Sequence, residues 1–87
     1  MRNLQTNEEK KDFVKWLCDE KGYSPRGAKD VVSRLNRAER ILPLDCENLD
    51  DYMYLLRKQN AFEELSPSIQ AQIKLSAKLL FQYNDSH

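Results

Sequence analysis

The sequence is poor in the residue types that most catalytic sites need. Among its 87 residues the only histidine is His87, at the end of the chain. A terminal side chain is poorly positioned, so histidine-based triads, cysteine–histidine dyads and most zinc sites are excluded. We therefore predict that the protein is not an enzyme and that it binds no metal ion, no other cofactor and no small-molecule substrate.

Glycine and cysteine are also scarce. The chain has two glycines, Gly22 and Gly27, which are too few for a glycine-rich phosphate loop. Its two cysteines, Cys18 and Cys46, lie far apart in the sequence and lack the spacing of metal ligands. This pattern is typical of reduced thiols, and it predicts a cytoplasmic protein.

Long hydrophobic runs are missing as well. No uncharged apolar run approaches the roughly 20 residues that a membrane-spanning helix needs, and the first residues contain no apolar segment typical of a signal peptide. We therefore expect no membrane partner. A chain of this length corresponds to one domain with a modest hydrophobic core.

Charge is plentiful but unevenly distributed. The net charge is zero, yet residues 23–40 contain five bases and two acids, whereas residues 45–65 contain six acids and two bases. This asymmetry permits an anionic partner on the basic side. It equally permits a second copy of the molecule, whose acidic side would complement the basic side of the first. Because the total is not basic, the composition alone does not favour nucleic-acid binding.

Helix caps divide the chain into helical segments. The stretch Thr6-Asn7-Glu8-Glu9 fits a capping box ahead of the first helix, and Gly22 suits the left-handed position that follows it. Ser24-Pro25 and Ser66-Pro67 each combine an N-cap serine with a proline at the first helical position. With Asn48 as the cap of another helix, these signals predict an all-α fold.

Apolar spacing gives each helix a buried face and sets its approximate limits. The predicted helices cover residues 7–21, 25–41, 49–59 and 67–83, with a short helical turn near 61–65. Together they make a compact four-helix bundle, a single domain over residues 7–83. We expect a flexible N-terminus at residues 1–6 and a disordered tail at 84–87.

The second helix has a basic side opposite its apolar stripe. Its members are Arg26, Lys29, Ser33, Arg37 and Arg40, and Lys74 and Lys78 form a smaller row on the last helix. Such rows neutralise phosphates, and the serine hydroxyl can donate to a phosphate oxygen. An ordinary solvated helix face has the same composition, so the pattern leaves both interpretations open.

Leu75 and Leu79 fall nearly opposite the apolar stripe of the last helix. Two leucines one turn apart on the far side of a helix indicate that this side is also covered. Central packing in the bundle is the interpretation we favour. The alternative is a protein interface at these two leucines, in a homo- or hetero-oligomeric adaptor that binds no nucleic acid.

Three short patterns together resemble a known family. They are Phe13-x-x-Trp16-Leu17, Gly22-Tyr23-Ser24-Pro25 and Ala28-x-Asp30-x-x-Ser33-Arg34-Leu35. They resemble the SAM-like core-binding domain at the N-terminal side of phage integrases and other tyrosine recombinases. The resemblance extends from about Glu8 to Tyr83, with departures at Gly27, commonly threonine in the family, and at Val31, commonly aromatic.

The resemblance implies a SAM-like four-helix domain that clamps double-stranded DNA with its second and fourth helices. Carried over by position, it points to Arg26, Lys29, Ser33 and Arg37, and to Lys74 and Lys78. The catalytic domain of the recombinases has no counterpart in this sequence. The implied function is therefore that of a free-standing DNA-binding accessory or regulatory protein of a mobile element or prophage.

Overall fold

The computed structural model describes Leu4 and residues 6–86, and this part of the chain contains five α-helices and no strand. The helices are α1 (Asn7–Lys21), α2 (Pro25–Ile41), α3 (Leu49–Arg57), α4 (Asn60–Glu63) and α5 (Pro67–Ser86). They form a compact bundle, so the predicted all-α fold class is confirmed. None of the described helices is both long and apolar enough to cross a lipid bilayer.

The predicted limits of α1 and α2 coincide with the observed ones because local caps set them. The Thr6 side chain accepts a hydrogen bond from the Glu9 N–H at 3.1 Å, and Gly22 ends α1 in the left-handed region with φ of 72°. At the start of α2, the Ser24 hydroxyl accepts from the Gly27 N–H at 3.1 Å. Each cap satisfies a main-chain group that the helix itself leaves without a partner.

The segment between α3 and α5 differs from the prediction. Helix α3 ends at Arg57 instead of residue 59, because Gln59 is extended, with φ of −79° and ψ of 127°. The short helix covers 60–63 instead of 61–65. The Gln70 amide from α5 donates to the Phe62 and Leu65 carbonyls, both at 3.0 Å, and so fixes this corner to the last helix.

The last helix is longer than predicted. Helix α5 continues through Asn84, Asp85 and Ser86, beyond the predicted limit at residue 83 and into the segment expected to be a disordered tail, and His87 lies outside the described residues. The Asn84 amide donates to the Leu80 carbonyl at 3.1 Å within this last turn. Of the expected flexible N-terminus, residues 1–3 and 5 lie outside the description, whereas Leu4 is packed into the core.

Helix α5 is central in the bundle, as favoured from the sequence, because it packs against α1, α2 and α3. Its predicted core residues Ile73, Ala77 and Leu80 are fully buried. Leu79 is also buried, at 6% exposure, while Leu75 remains 49% exposed. The two leucines therefore do not form a joint surface, and of the pair that the alternative interface would use only Leu75 is exposed.

Helix α2 presents one side to the core and the other to solvent. Its buried residues are Ala28, Val31, Leu35 and Ala38, which recur every three or four residues. This stripe faces α5 and α1, the helices that α2 packs against. The polar side of α2 therefore points away from α5, and this orientation determines which other charges it can join.

Candidate nucleic-acid interface

The predicted basic side of α2 is a continuous solvent-exposed surface. Its members Arg26, Lys29, Ser33, Arg37 and Arg40 are all exposed. They lie opposite the buried stripe because steps of three and four residues return to the same side of a helix. The Ser24 cap and Pro25 begin the helix just before Arg26, and so the cap fixes the N-terminal end of this surface.

Three arginines converge on a shallow depression along this side. It has a volume of about 310 Å³ and is lined by Asp30, Ser33, Arg34, Arg37 and Arg40. The Nε of Arg40 donates to the Asn36 carbonyl at 3.4 Å, which holds its guanidinium along the helix. With three guanidinium groups and one carboxylate, the depression has an excess of positive charge.

A larger groove between α1 and α2 extends the basic surface. It has a volume of about 570 Å³ and is lined by Asn7, Lys10, Lys11, Val14, Lys15, Lys29, Val32 and Ser33. No described acidic residue lines it. Val14 and Val32 are partly buried against the core and give the groove an apolar floor. Lys29 and Ser33, predicted from the sequence, thus face three lysines from another helix. We call this feature the lysine groove.

Three lysines and two acids of α1 lie on different sides of the helix. Lys10, Lys11 and Lys15 lie on the side that faces α2. The acids Glu9 and Asp12 lie instead near the end of α5, where burial first, and then their negative charges, raise the pKa of Tyr83 above its ordinary value. Helix α1 therefore places these three lysines, but not Glu9 or Asp12, beside the first part of the basic surface of α2.

Lysines that share a groove repel one another, because each lies in the positive potential of the others. Within a Debye length of about 8 Å at physiological salt this repulsion is only partly screened. A bound anion removes the repulsion, and a polyanion does so at several positions at once. The arrangement is therefore suited to a ligand with repeated negative charges.

The lysines predicted on the last helix lie elsewhere. Neither Lys74 nor Lys78 lines the lysine groove or the arginine depression. The Nζ of Lys74 is 5.8 Å from the centre of the Phe62 ring, at the corner formed by α4. Although α2 packs against α5, its basic side points away from that helix, so the basic residues of α2 lie beside those of α1 and not beside Lys74 and Lys78.

Sequence reasoning missed Lys10, Lys11 and Lys15. Their signal was present, since Lys11 and Lys15 are one turn apart and Lys10 precedes Val14 by one turn. The sequence does not show which flank of α1 faces α2, because tertiary packing decides that. Only the packed structure places these lysines opposite Lys29.

Comparison with protein-family models, with curated proteins and with solved structures finds no match for this chain. The resemblance to the integrase core-binding domain therefore stays a prediction from the sequence patterns. Among the described residues, no group of three or more histidine, cysteine, aspartate or glutamate side chains is placed to hold a metal ion.

Proposed function

We propose that the protein is a non-catalytic DNA-binding protein that binds the phosphates of duplex DNA through the lysine groove and the outer side of α2. The observation that carries this proposal is the lysine groove itself, in which four lysines from two helices face one another without a described carboxylate. Lysine and arginine contacts to phosphates supply most of the affinity in non-specific DNA binding.

The basic surface has the length that several phosphate contacts require. From Arg26 to Arg40 the helix rises about 21 Å, at about 1.5 Å per residue. A DNA strand has one phosphate per about 3.4 Å of helix axis, so about six phosphates of one strand fit alongside. The lysines of α1 form a second basic row beside that of α2, and this second row contacts neighbouring phosphates.

The groove favours backbone recognition of a duplex over recognition of single strands. Proteins that bind single strands commonly stack bases on aromatic side chains, and no aromatic residue lines the lysine groove or the arginine depression. Ammonium groups and a serine hydroxyl bind phosphates without reading bases. We therefore expect weak sequence preference and a preference for duplex over single-stranded DNA.

The sequence resemblance adds a biological setting, namely an accessory or regulatory protein of a mobile element or prophage. It also assigns DNA contacts to the last helix through Lys74 and Lys78. The charge distribution favours Lys10 and Lys15 of α1 in their place. The two arrangements share α2 and make different predictions for α1 and α5.

A fluorescence anisotropy titration with a short labelled DNA duplex tests the proposal. The double variant Lys10→Gln with Lys15→Gln should bind more weakly. The negative slope of log affinity against log salt should become shallower by about 1.8, since each lost phosphate contact contributes about −0.9. The variant Lys74→Gln with Lys78→Gln is the matched control, because it also removes two positive charges, but from α5.

The outcomes separate the arrangements. If the α5 variant loses affinity and the α1 variant does not, the integrase-like arrangement is correct and the lysine groove is not the site. If the wild-type chain shows no salt-sensitive binding to duplex DNA at low ionic strength, DNA binding itself is disproved. Equal affinity for a single strand of the same length would contradict the duplex preference.

A further inference from the structure

A second surface has the opposite character to the lysine groove. The loop before α3 and the outer side of α3 enclose a depression of about 530 Å³, lined by Asp45, Cys46, Glu47, Asp51, Tyr54 and Leu55. Three of these side chains are carboxylates and none is basic. We call this feature the acidic surface. It shares no lining residue with the lysine groove.

The acidic surface also exposes large apolar side chains. Tyr54 is 54% exposed and Leu55 is 41% exposed, while Tyr52 and Leu56 of the same helix are fully buried. The Nζ of Lys58 lies 2.6 Å from the Tyr54 hydroxyl and 4.2 Å from the centre of its ring, which holds the ring in place. Adjacent exposed apolar residues with a charged rim are typical of protein contact sites.

Cys46 lies among the carboxylates of this surface. Burial, and then the charges of Asp45 and Asp51, raise the pKa of the thiol above its ordinary value. The carboxylates of Asp45 in the loop and Asp51 in α3 therefore both lie close enough to Cys46 to influence its thiol. A partner with several positive charges and a small apolar centre complements such a surface in both respects.

The lysine groove of this chain has those two properties. Its lysines surround a floor made by Val14 and Val32, and its volume of about 570 Å³ is sufficient for apolar side chains of the size of Leu55 and Tyr54. We propose that the acidic surface of one copy docks into the lysine groove of a second copy. The carboxylates then face the lysines, and Leu55 and Tyr54 contact the valines.

This contact joins two different surfaces, so the association is head-to-tail. A dimer formed in this way leaves one lysine groove and one acidic surface free, and a third copy can add at either end. The net charge of zero means that growth accumulates no charge. The proposal does not rest on DNA binding, although DNA and a second copy would compete for the same groove.

Sedimentation velocity over a concentration series at low salt tests the contact. We expect wild-type association that increases with concentration and falls with added salt. The groove variant is Lys10→Gln with Lys15→Gln. The acidic-surface variant is Asp45→Asn, Glu47→Gln and Leu55→Gln. It spares Asp51 because the Asp51 carboxylate accepts a hydrogen bond from the Asn48 side chain, which caps α3. Each variant alone should associate at least about tenfold more weakly than the wild type.

Mixing the two variants is the decisive measurement. Each retains one intact surface, so an equimolar mixture should form a 1:1 dimer that does not grow further. The control variant Lys74→Gln with Lys78→Gln should associate like the wild type, and circular dichroism should show unchanged helix content in every variant. A wild type that stays monomeric at high concentration in low salt, or a mixture that stays monomeric, overturns the proposal.

Adding duplex DNA distinguishes this proposal from the proposed function. If both are correct, DNA dissociates the wild-type oligomer. If the oligomer forms and DNA neither binds nor dissociates it, only the DNA proposal fails. If DNA binds and the variants show no complementation, only the head-to-tail contact fails.

Discussion

The hydroxyl of Tyr52 donates a hydrogen bond to the main-chain carbonyl of Leu42, and the two oxygens are 2.9 Å apart. Tyr52 belongs to α3 and is fully buried, whereas Leu42 is the C-cap residue of α2. The bond therefore links the end of the helix that bears the basic surface to the helix that bears the acidic surface. It also satisfies a carbonyl that the helix end leaves without an intrahelical partner.

Replacing Tyr52 by phenylalanine should lower the free energy of unfolding by about 1–3 kcal/mol, because the Leu42 carbonyl loses its buried donor. Urea denaturation measures this difference. Tyr54→Phe is the matched control, since its hydroxyl is on an exposed residue and accepts a hydrogen bond from the exposed Lys58 side chain. A loss of equal size in both variants would contradict the structural role of the Tyr52 hydroxyl.

Stability should fall steeply at alkaline pH. Burial, followed by the charge of Glu39, raises the pKa of Tyr52 well above its ordinary value of 10.0. Above pH 10 the unfolded chain loses the phenolic proton of Tyr52, whereas the folded chain keeps it because its pKa is higher. The stabilisation is complete below pH 10 and should decline by about 1.4 kcal/mol per pH unit between the unfolded and folded pKa values. Urea titrations at several pH values measure the slope, which should be shallower in Tyr52→Phe.

The limits of α1 and α2 could be predicted from the sequence because caps are local chemistry. A serine or threonine oxygen reaches an N–H three residues away regardless of the rest of the fold. The end of α3 was predicted less well, and the corner that follows it is held by Gln70 from α5, whose amide donates to the Phe62 carbonyl. That contact joins residues eight positions apart, and no short-range signal indicates it.

Burial depends on tertiary contacts in the same way. Leu79 is buried because α5 has neighbours on several sides, and Leu44 lies in a loop yet is 1% exposed. The Leu44 N–H donates to the Glu39 carboxylate at 2.7 Å, which folds the loop back on α2. The lysine groove was missed for a related reason, since only the packing of α1 on α2 brings Lys10 and Lys15 toward Lys29.

Replacing Gly22 by alanine should destabilise the protein by about 1–2 kcal/mol, the cost of a left-handed backbone conformation for a residue with a Cβ. A Cβ built on Gly22 meets no atom within 4 Å, so the backbone conformation at φ of 72° causes this cost and not a steric clash. Thermal unfolding measures the loss. Gly22→Asn should lose less, because asparagine tolerates the left-handed region. Equal stability of the alanine variant and the wild type would be inconsistent with this cap.

Replacing Tyr83 by alanine should release the end of α5 from α1. The Tyr83 ring makes edge contacts with Phe13 and Trp16, at 5.2 Å and 5.4 Å between ring centres. Each such pair contributes about 0.5–1.5 kcal/mol, so we expect a loss of about 1–3 kcal/mol in urea denaturation. The emission of Trp16, the only tryptophan, should shift to longer wavelength as water reaches its ring. Tyr83→Phe retains the ring and should preserve the emission, whereas unchanged emission in Tyr83→Ala would show that the end of α5 does not cover Trp16.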